Sequence, residues 1–180
     1  KKLILFASQR VTNENKGMGY LIEACRLLHD LTSATVLIPG GHAEEVTPQL
    51  SLQAIALGYV NDERRIIDIY QAADVFVLPS LSENLPNTIM EAMACGLPCV
   101  GFRVGGIPEE IDHKRNGYVA EYRNASDLAH GIRWVLTSVH RDELSEACVR
   151  KVAQNYSQQS VALRYAEVYQ QAMAFKRYKL

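Results

Sequence analysis

Long hydrophobic runs are missing from this sequence of 180 residues, and so is a strong charge of either sign. No apolar stretch approaches the ~18 residues that a membrane-spanning helix needs. The formal net charge of −1 gives no reason to expect nucleic acid or an anionic surface as the main partner. With 48% hydrophobic and 22% charged residues, the composition is ordinary for a globular protein. We therefore expect one folded domain over residues 1–180.

Cysteine is also scarce, and its spacing fits neither a C-x-x-C motif nor a zinc site. The four cysteines are Cys25, Cys95, Cys99 and Cys148. Small apolar residues surround Cys95 and Cys99, so we expect buried free thiols and a reducing, cytoplasmic location. The first residue is Lys1 rather than Met, and we expect a piece of a longer chain.

The usual cofactor and metal motifs are absent as well. Gly17-Met18-Gly19 is followed by Ile22 where a dinucleotide-binding loop needs its third glycine. No G-x-x-x-x-G-K-S/T phosphate loop and no Asp-x-Asp occur, and the histidines have no metal-ligand spacing. The sequence thus predicts neither a resident cofactor nor a bound metal.

What is present is an alternation of short apolar runs with segments of helical spacing. The runs predict strands over 3–7, 35–38, 55–57, 75–78, 99–102 and 118–120. The helical segments are 17–31, 64–73, the stretch after Pro86 up to Gly96, 107–111, 126–137, 142–154 and 157–177, with a short helix before Gln49. This alternation predicts a doubly wound α/β domain, with a parallel sheet of about six strands and helices on both faces.

Several polar or glycine-containing loops directly follow the predicted strands. These loops carry Arg10, Lys16, Gly58, Glu83 and Gly105. Because parallel strands end at the same edge of a sheet, we expect the loops to converge there and to form the ligand site.

Two glutamates flank the start of the helix after Pro86. Glu83 lies in the loop, and Glu91 lies about one turn into the helix, which we expect to be capped by Asn87 or Thr88. A helix N-terminus attracts anions, so the arrangement suits a ligand with both phosphate and hydroxyl groups. The alternative is that Glu83 is a solvated loop charge and Glu91 an exposed helix charge.

The whole string around these glutamates carries a family resemblance. Glu83, seven residues and Glu91 are followed by Gly96-Leu97-Pro98-Cys99-Val100 and by Val104-Gly105-Gly106-Ile107-Pro108-Glu109. This string resembles the signature of the retaining glycosyltransferases of family 4 (glycosyl transferases group 1), which have two Rossmann-like domains in the GT-B architecture. A lone pair of glutamates at this spacing would be weak, whereas the ordered string is specific.

The resemblance covers nearly the whole chain and implies the C-terminal, donor-binding domain, without the N-terminal acceptor domain. The full enzyme would transfer a sugar, of the hexosyl type, from a nucleoside-diphosphate sugar to an acceptor hydroxyl with retention of configuration. It would act in polysaccharide or glycoconjugate synthesis. The resemblance leaves room for peripheral membrane association of the full enzyme, and we expect the isolated domain to be inactive.

The resemblance also implies a role for each matching residue. Arg10 and Lys16 would hold the diphosphate, aided by the helix N-terminus at Thr88, although Gln9 replaces the family's glycine before the arginine. Glu91 would bind ribose hydroxyls and Glu83 the donor sugar. The backbone of 58–60, which comprises Gly58, Tyr59 and Val60, would meet the base. Many members have Gly-Phe-Gly after the first glutamate, and here Asn84, Leu85 and Pro86, followed by Asn87, leave the sugar unidentified.

Alternatives without a ligand-binding role stay open for these residues. Arg10 and Lys16 could be solvated loop charges, and Tyr59 could pack into a hydrophobic cluster. Two other protein classes also stay open, namely a nucleotide-sugar epimerase of the same architecture and a non-catalytic module that keeps the fold. Trp134, Leu136, Tyr165 and Tyr169 are expected in the core.

Overall fold

The computed structural model describes residues 1–177 and contains a parallel sheet with strand order β3-β2-β1-β4-β5-β6. All five strand pairings are parallel. The strands are β1 Lys2–Leu5, β2 Ala34–Pro39, β3 Gln53–Gly58, β4 Val75–Leu78, β5 Cys99–Phe102 and β6 Gly117–Ala120. The order reverses between β1 and β4, where a doubly wound sheet opens a crevice for a ligand. The predicted fold class is confirmed.

Helices connect the strands and cover both faces of the sheet. They are α1 Met18–Leu27, α2 Ala43–Val46, α3 Glu63–Ala72, α4 Asn87–Ala94, α5 Ile107–Glu110, α6 Ala125–Thr137, α7 Arg141–Asn155 and α8 Gln158–Arg177. In none of the helices within residues 1–177 is there a segment long and apolar enough to cross a bilayer.

Two hydrophobic clusters form the core, one on each face of the sheet. Along β4, Val75 and Val77 belong to the cluster beneath α1 and α6, whereas Phe76 and Leu78 belong to the cluster beneath α3, α4 and α7. Successive strand residues point to opposite faces, and both faces are covered, which explains the continuous apolar run. Burial of such a side chain contributes about 1.5–3 kcal/mol to stability. The core thus fixes the strand ends, and with them the loops that form the site.

The helix caps differ in part from the prediction. Pro86, not Asn87 or Thr88, occupies the N-cap of α4, because its extended backbone lets Asn87 begin the helix. Asn124 caps α6 by accepting a hydrogen bond from the Asp127 N–H, so this helix begins one residue before the predicted 126. Ser157 accepts a hydrogen bond from the Ser160 N–H at 3.2 Å at the start of α8.

Two predicted core tyrosines are exposed instead. Tyr165 and Tyr169 lie on α8 with exposures of 59% and 62%, while Leu136 is buried and Trp134 packs half-buried against the core. Helical spacing on α8 indicates an apolar face but says nothing of what covers it, and no element within residues 1–177 buries these two rings. The cysteines are free thiols as expected; Cys95 is half-buried and the other three are buried.

Candidate functional site

The loops after β1, β4 and β5 are held together by their backbones. Gly17, at φ 70°, lies so close to Pro79 that a Cβ built on it would stand 1.8 Å from the Pro79 carbonyl oxygen. Gly105, at φ 54°, approaches Glu83 equally closely, with the Glu83 carbonyl oxygen 1.8 Å from its hypothetical Cβ. The Leu81 N–H also donates to the Asn15 carbonyl at 2.8 Å. Since only glycine fits both approaches, the Glu83 loop is fixed between its two neighbours.

Lys16 and Glu83 form an ion pair across this junction. Lys16 Nζ lies 2.6 Å from Glu83 Oε1, and the side chains are 32% and 12% exposed. Partial burial weakens the screening by water and makes this pair stronger than an ordinary surface pair. The structure therefore brings together two of the residues that the sequence singled out, and it pairs them with each other.

Arg10 lies farther out in the same loop. Its side chain is exposed, and its Nε donates to Thr12 Oγ1 at 3.3 Å. Within residues 1–177 it makes no hydrogen bond or ion pair with Lys16, Glu83 or Glu91. Its guanidinium keeps most of its donors for a ligand that enters from solvent.

The loop before α4 presents short polar and apolar side chains to solvent. Asn84 and Asn87 are exposed, Leu85 is 37% exposed and Pro86 is buried. The Asn84 carbonyl accepts a hydrogen bond from the Gly106 N–H at 2.5 Å, which ties this loop to the loop after β5. The loop therefore has a fixed shape beside Glu83.

Glu91 is exposed on α4, and one of its oxygens is already held. The hydroxyl of Tyr70, on α3, donates to Glu91 Oε2 at 3.1 Å. Tyr70 is only 4% exposed, and its ring packs edge-on against Phe76 with the centroids 5.9 Å apart. Among the described residues no arginine pairs with Glu91, and a buried tyrosine holds it.

A cavity of about 410 Å³ opens between the ends of β1 and β2, the loop after β3, and helices α3 and α4. This volume lies in the usual range for a small-molecule site. Its walls include four residues that the sequence assigned to the donor, which are Tyr59, Val60, Thr88 and Glu91. Ile66, Ile69 and Tyr70 of α3 also line it and contribute apolar surface. Lys16, Glu83 and Arg10 do not line it, and neither do Gly58 and residues 84–87. The structure thus separates the expected site into a cavity and an adjoining charged junction.

Sequence reasoning missed several residues of the cavity, namely Pro39, Gly40, Ile66, Ile69 and Tyr70. Pro39-Gly40 follows β2, so the rule that strand ends converge could have identified it. The spacing of the three α3 residues marks one helix face, which is equally typical of a core face. Tyr70 in fact belongs both to the hydrophobic core and to the cavity wall.

A buried carboxyl group, which no sequence pattern predicts, lies near this junction. Glu110, on α5, is 0% exposed, and both carboxyl oxygens lack a hydrogen-bond partner within the described part of the chain. Burial, followed by the negative charges of Glu83 and Glu109, raises the pKa of Glu110 to about 8. At neutral pH this side chain is therefore mainly protonated.

Cation ligands and a further cavity lie away from these residues. In the described chain, His42, Glu44 and Glu45 are close enough to share one cation, but all are exposed, and His42 already bonds to Glu45 at 2.7 Å. The expectation that no metal takes part stays a prediction. A cavity of about 460 Å³ lies at the opposite sheet edge, where Asp74 forms ion pairs with Lys2 and Arg141. These charges are satisfied within the chain.

Comparison with known sequences identifies relatives for this arrangement. A family model described as "Glycosyl transferases group 1" matches residues 1–138. An uncharacterized glycosyltransferase of Methanocaldococcus jannaschii is 33% identical over 181 aligned residues, which cover 96% of this chain and 46% of the relative. The chain therefore spans less than half the length of this relative.

Solved structures share the fold. The C-terminal domain of a glycosyl transferase group 1 family protein from Francisella tularensis matches with a TM-score of 0.74 and 22% identity, over 88% of this chain and 87% of that domain. An Anabaena protein, HepE, described as a complex with UDP and glucose, matches with a TM-score of 0.77 and 22% identity, over 94% of this chain and 48% of HepE. At these identities the likeness shows the fold alone.

Proposed function

Because this chain belongs to the glycosyl transferases group 1 family, we propose that it is the donor-binding domain of a glycosyltransferase that uses a nucleoside-diphosphate sugar. The observation that carries the proposal is the juxtaposition at one sheet edge of a nucleoside-sized cavity and the Lys16–Glu83 junction. The complex of HepE with UDP and glucose supports a donor of this chemical class.

The cavity takes the nucleoside. Ile66 and Ile69 supply an apolar wall for the flat face of a base, and the backbone at Tyr59 and Val60 supplies groups for its edge. Glu91 faces the same space and accepts hydrogen bonds from the ribose hydroxyls, which are donors that a carboxylate binds well. This assignment uses residues from three different elements.

The diphosphate lies between the cavity and the junction. The N-terminus of α4 at Asn87 and Thr88 offers unpaired N–H groups and a positive dipole end. Lys16 and Arg10 supply the two cations that stabilise charge developing on the leaving diphosphate. Lys16 binds Glu83 in this structure, so the diphosphate competes with that carboxylate for the ammonium group.

The donor sugar lies beside Glu83 and residues 84–87. Glu83 accepts hydrogen bonds from sugar hydroxyls and orients the anomeric carbon, and Asn84 and Leu85 contribute to the choice of sugar. By analogy with the family, the leaving phosphate accepts the acceptor proton on the same face, and configuration is retained. The acceptor, a hexosyl type of transfer and a role in polysaccharide or glycoconjugate synthesis belong to the full-length enzyme.

A thermal-shift screen against uridine, UDP, GDP and their hexose derivatives tests the proposal. A ligand that binds only the folded state raises the melting temperature. We expect one nucleoside diphosphate and its sugar to raise it, and the free nucleoside at equal concentration to raise it much less. A flat response across the panel would favour a non-catalytic module that keeps the fold.

Two further arms sharpen this experiment. Lys16→Ala should lose most of the response to the diphosphate and keep the response to the nucleoside, because a charge-assisted hydrogen bond is worth about 1.5–3 kcal/mol. Full-length protein incubated with donor alone should leave the sugar configuration unchanged. Conversion of the donor without an acceptor would instead identify an epimerase.

A further inference from the structure

The buried hydroxyl of Tyr70 is the feature that the proposed function leaves unused. Among the residues that line the cavity, Tyr70 binds Glu91, the carboxylate assigned to the ribose. We propose that Tyr70 is a positioning residue for nucleotide recognition, one that holds one oxygen of Glu91 so that the other faces the ribose hydroxyls. This inference rests on the proposed function of Glu91 and adds a residue that determines how well the ribose is recognised.

Tyr70 is rigid because the core holds its ring. It packs against Phe76, which is fully buried in β4, with an interplanar angle of 76°. The hydrogen bond reaches from α3 to α4 and joins residues 21 positions apart. An exposed glutamate on a helix otherwise samples several rotamers, and all but one of them are lost when a ligand binds. A fixed partner removes part of that entropy loss before the ligand arrives.

The hydroxyl also has a constant protonation state. Burial, together with the negative charge of Glu91, raises the pKa of Tyr70 well above its usual range. At neutral pH the hydroxyl is therefore the donor, and the Glu91 carboxylate accepts its hydrogen bond. This direction leaves Glu91 Oε1 with its lone pairs available to the hydroxyls of a ribose.

The test measures ribose discrimination, which is the ratio of the affinities for UDP and 2′,3′-dideoxy-UDP. GDP and 2′,3′-dideoxy-GDP are run in parallel, by calorimetry on the 180-residue chain. Wild type should prefer the ribose form by about ten-fold or more, as expected of hydrogen bonds to a carboxylate. Tyr70→Phe should lower that ratio by roughly two- to ten-fold, less than the loss of a direct bond to the carboxylate, because Tyr70 acts only through Glu91.

Tyr118→Phe is the matched control. Tyr118 is also buried, at 7% exposure, and its hydroxyl also donates to a carboxylate, Asp127 Oδ1, at 2.8 Å. It lies on β6 and does not line the cavity. Tyr118→Phe should therefore leave the ribose ratio unchanged, even if it lowers the melting temperature. Adding Tyr70→Phe to Glu91→Ala should cause no further fall in the ratio, because the two residues act as a unit.

Each outcome decides the matter. A wild-type preference for ribose that survives intact in Tyr70→Phe overturns the role of Tyr70 and leaves the proposed function standing. Equal losses for both ligands overturn it too, since they indicate a purely structural residue. A wild-type protein that binds none of the four nucleotides, or that ignores the ribose hydroxyls, overturns the proposed role of Glu91 and with it that of Tyr70.

Discussion

At the residue scale, Lys16 and Glu83, which we assign to two different parts of the donor, form an ion pair with each other. The ammonium and carboxylate lie 2.6 Å apart, and both are partly shielded from water. A diphosphate that binds Lys16 must share or displace Glu83. The displaced carboxylate is then free to accept hydrogen bonds from the donor sugar, so one exchange would couple the two parts of the substrate.

Glu83→Gln separates these roles. Because the substitution removes the carboxylate that holds Lys16, we expect the nucleoside diphosphate to bind at least as tightly as in wild type and up to about ten-fold tighter. Transfer by the full-length enzyme should fall by on the order of 10²-fold or more, because the sugar is no longer oriented. Calorimetry and a transfer assay on the same variant measure both. Diphosphate binding as weak as in Lys16→Ala would show that Glu83 does not compete for the ammonium.

A second prediction at this scale concerns the buried carboxyl of Glu110. The folded state raises the pKa of this group from near 4.5 to about 8. Below about pH 4.5 Glu110 is protonated in both the folded and the unfolded chain. The free energy of unfolding then carries no penalty from the burial of this carboxyl group as a charge. As the pH rises toward 8, the unfolded chain loses the proton first, so the free energy of unfolding should fall by about 1.4 kcal/mol per pH unit.

Glu110→Gln should remove this pH dependence. Denaturant unfolding at several pH values gives the difference between variant and wild type, in which the other titrating groups cancel. That difference should favour the variant increasingly between pH 5 and 8. Glu23→Gln, at an exposed position on α1, is the control and should follow wild type, because Glu23 does not contribute to the pKa shift of Glu110. A pH-independent difference for Glu110→Gln would mean that Glu110 is ionised in the folded protein at neutral pH.

At the element scale, the loops of the site are positioned by backbone contact rather than by side chains. Gly17 begins α1 and touches the loop after β4, and Gly105 touches the same loop from the other side. These contacts set the distance between α1 and α4. They therefore set whether Lys16, the start of α4 and Glu83 can act on one ligand.

Gly17→Ala tests this arrangement, and Gly19→Ala is its control two residues along. A Cβ at Gly17 would meet the Pro79 carbonyl at 1.8 Å on a left-handed backbone, whereas nothing lies within 4 Å of a Cβ at Gly19. We expect Gly17→Ala to destabilise the fold by about 2 kcal/mol or more, which lowers the melting temperature by at least ~4 °C, and to weaken diphosphate binding. Gly19→Ala should be neutral or slightly stabilising, since alanine favours a helix. Equal melting temperatures for the two variants would contradict the close contact.

At the scale of the whole molecule, this chain is shorter than the relatives that it matches. The chain covers 46% of the Methanocaldococcus jannaschii relative and 48% of HepE. We propose that this chain suffices to bind the donor, whereas transfer of the sugar needs the full-length enzyme.

We accordingly expect the 180-residue chain to bind a nucleoside diphosphate but to transfer no sugar. The reason is that catalysis requires the two reactants to be held in contact, which one half of the cleft does not do. An assay with radiolabelled donor, run beside the full-length enzyme at equal concentration, measures the difference. Clear transfer by the isolated chain would contradict the division of labour proposed here.

The architecture, and the edge at which the site lies, can be predicted from the amino-acid sequence alone. Apolar runs of strand length, alternating with helical spacing, require a parallel sheet covered on both faces, and chain order then places every strand-following loop at one edge. The ordered motif from Glu83 to Glu109 identified the family, which the match over residues 1–138 confirms. These conclusions follow from local pattern and order, which a single sequence records directly.

Which side chains meet cannot be predicted in this way, because it depends on how distant segments pack. Lys16 and Glu83 are 67 residues apart, and Tyr70 and Glu91 are 21 apart. Periodicity placed Tyr70 on a buried helix face without revealing that its hydroxyl reaches a carboxylate, and it placed Glu110 on a short helix without revealing its burial. Periodicity likewise could not show that Tyr165 and Tyr169 on α8 stay exposed. The physical reason is that spacing fixes the direction of a side chain relative to its own element, whereas its partner depends on how separate elements pack.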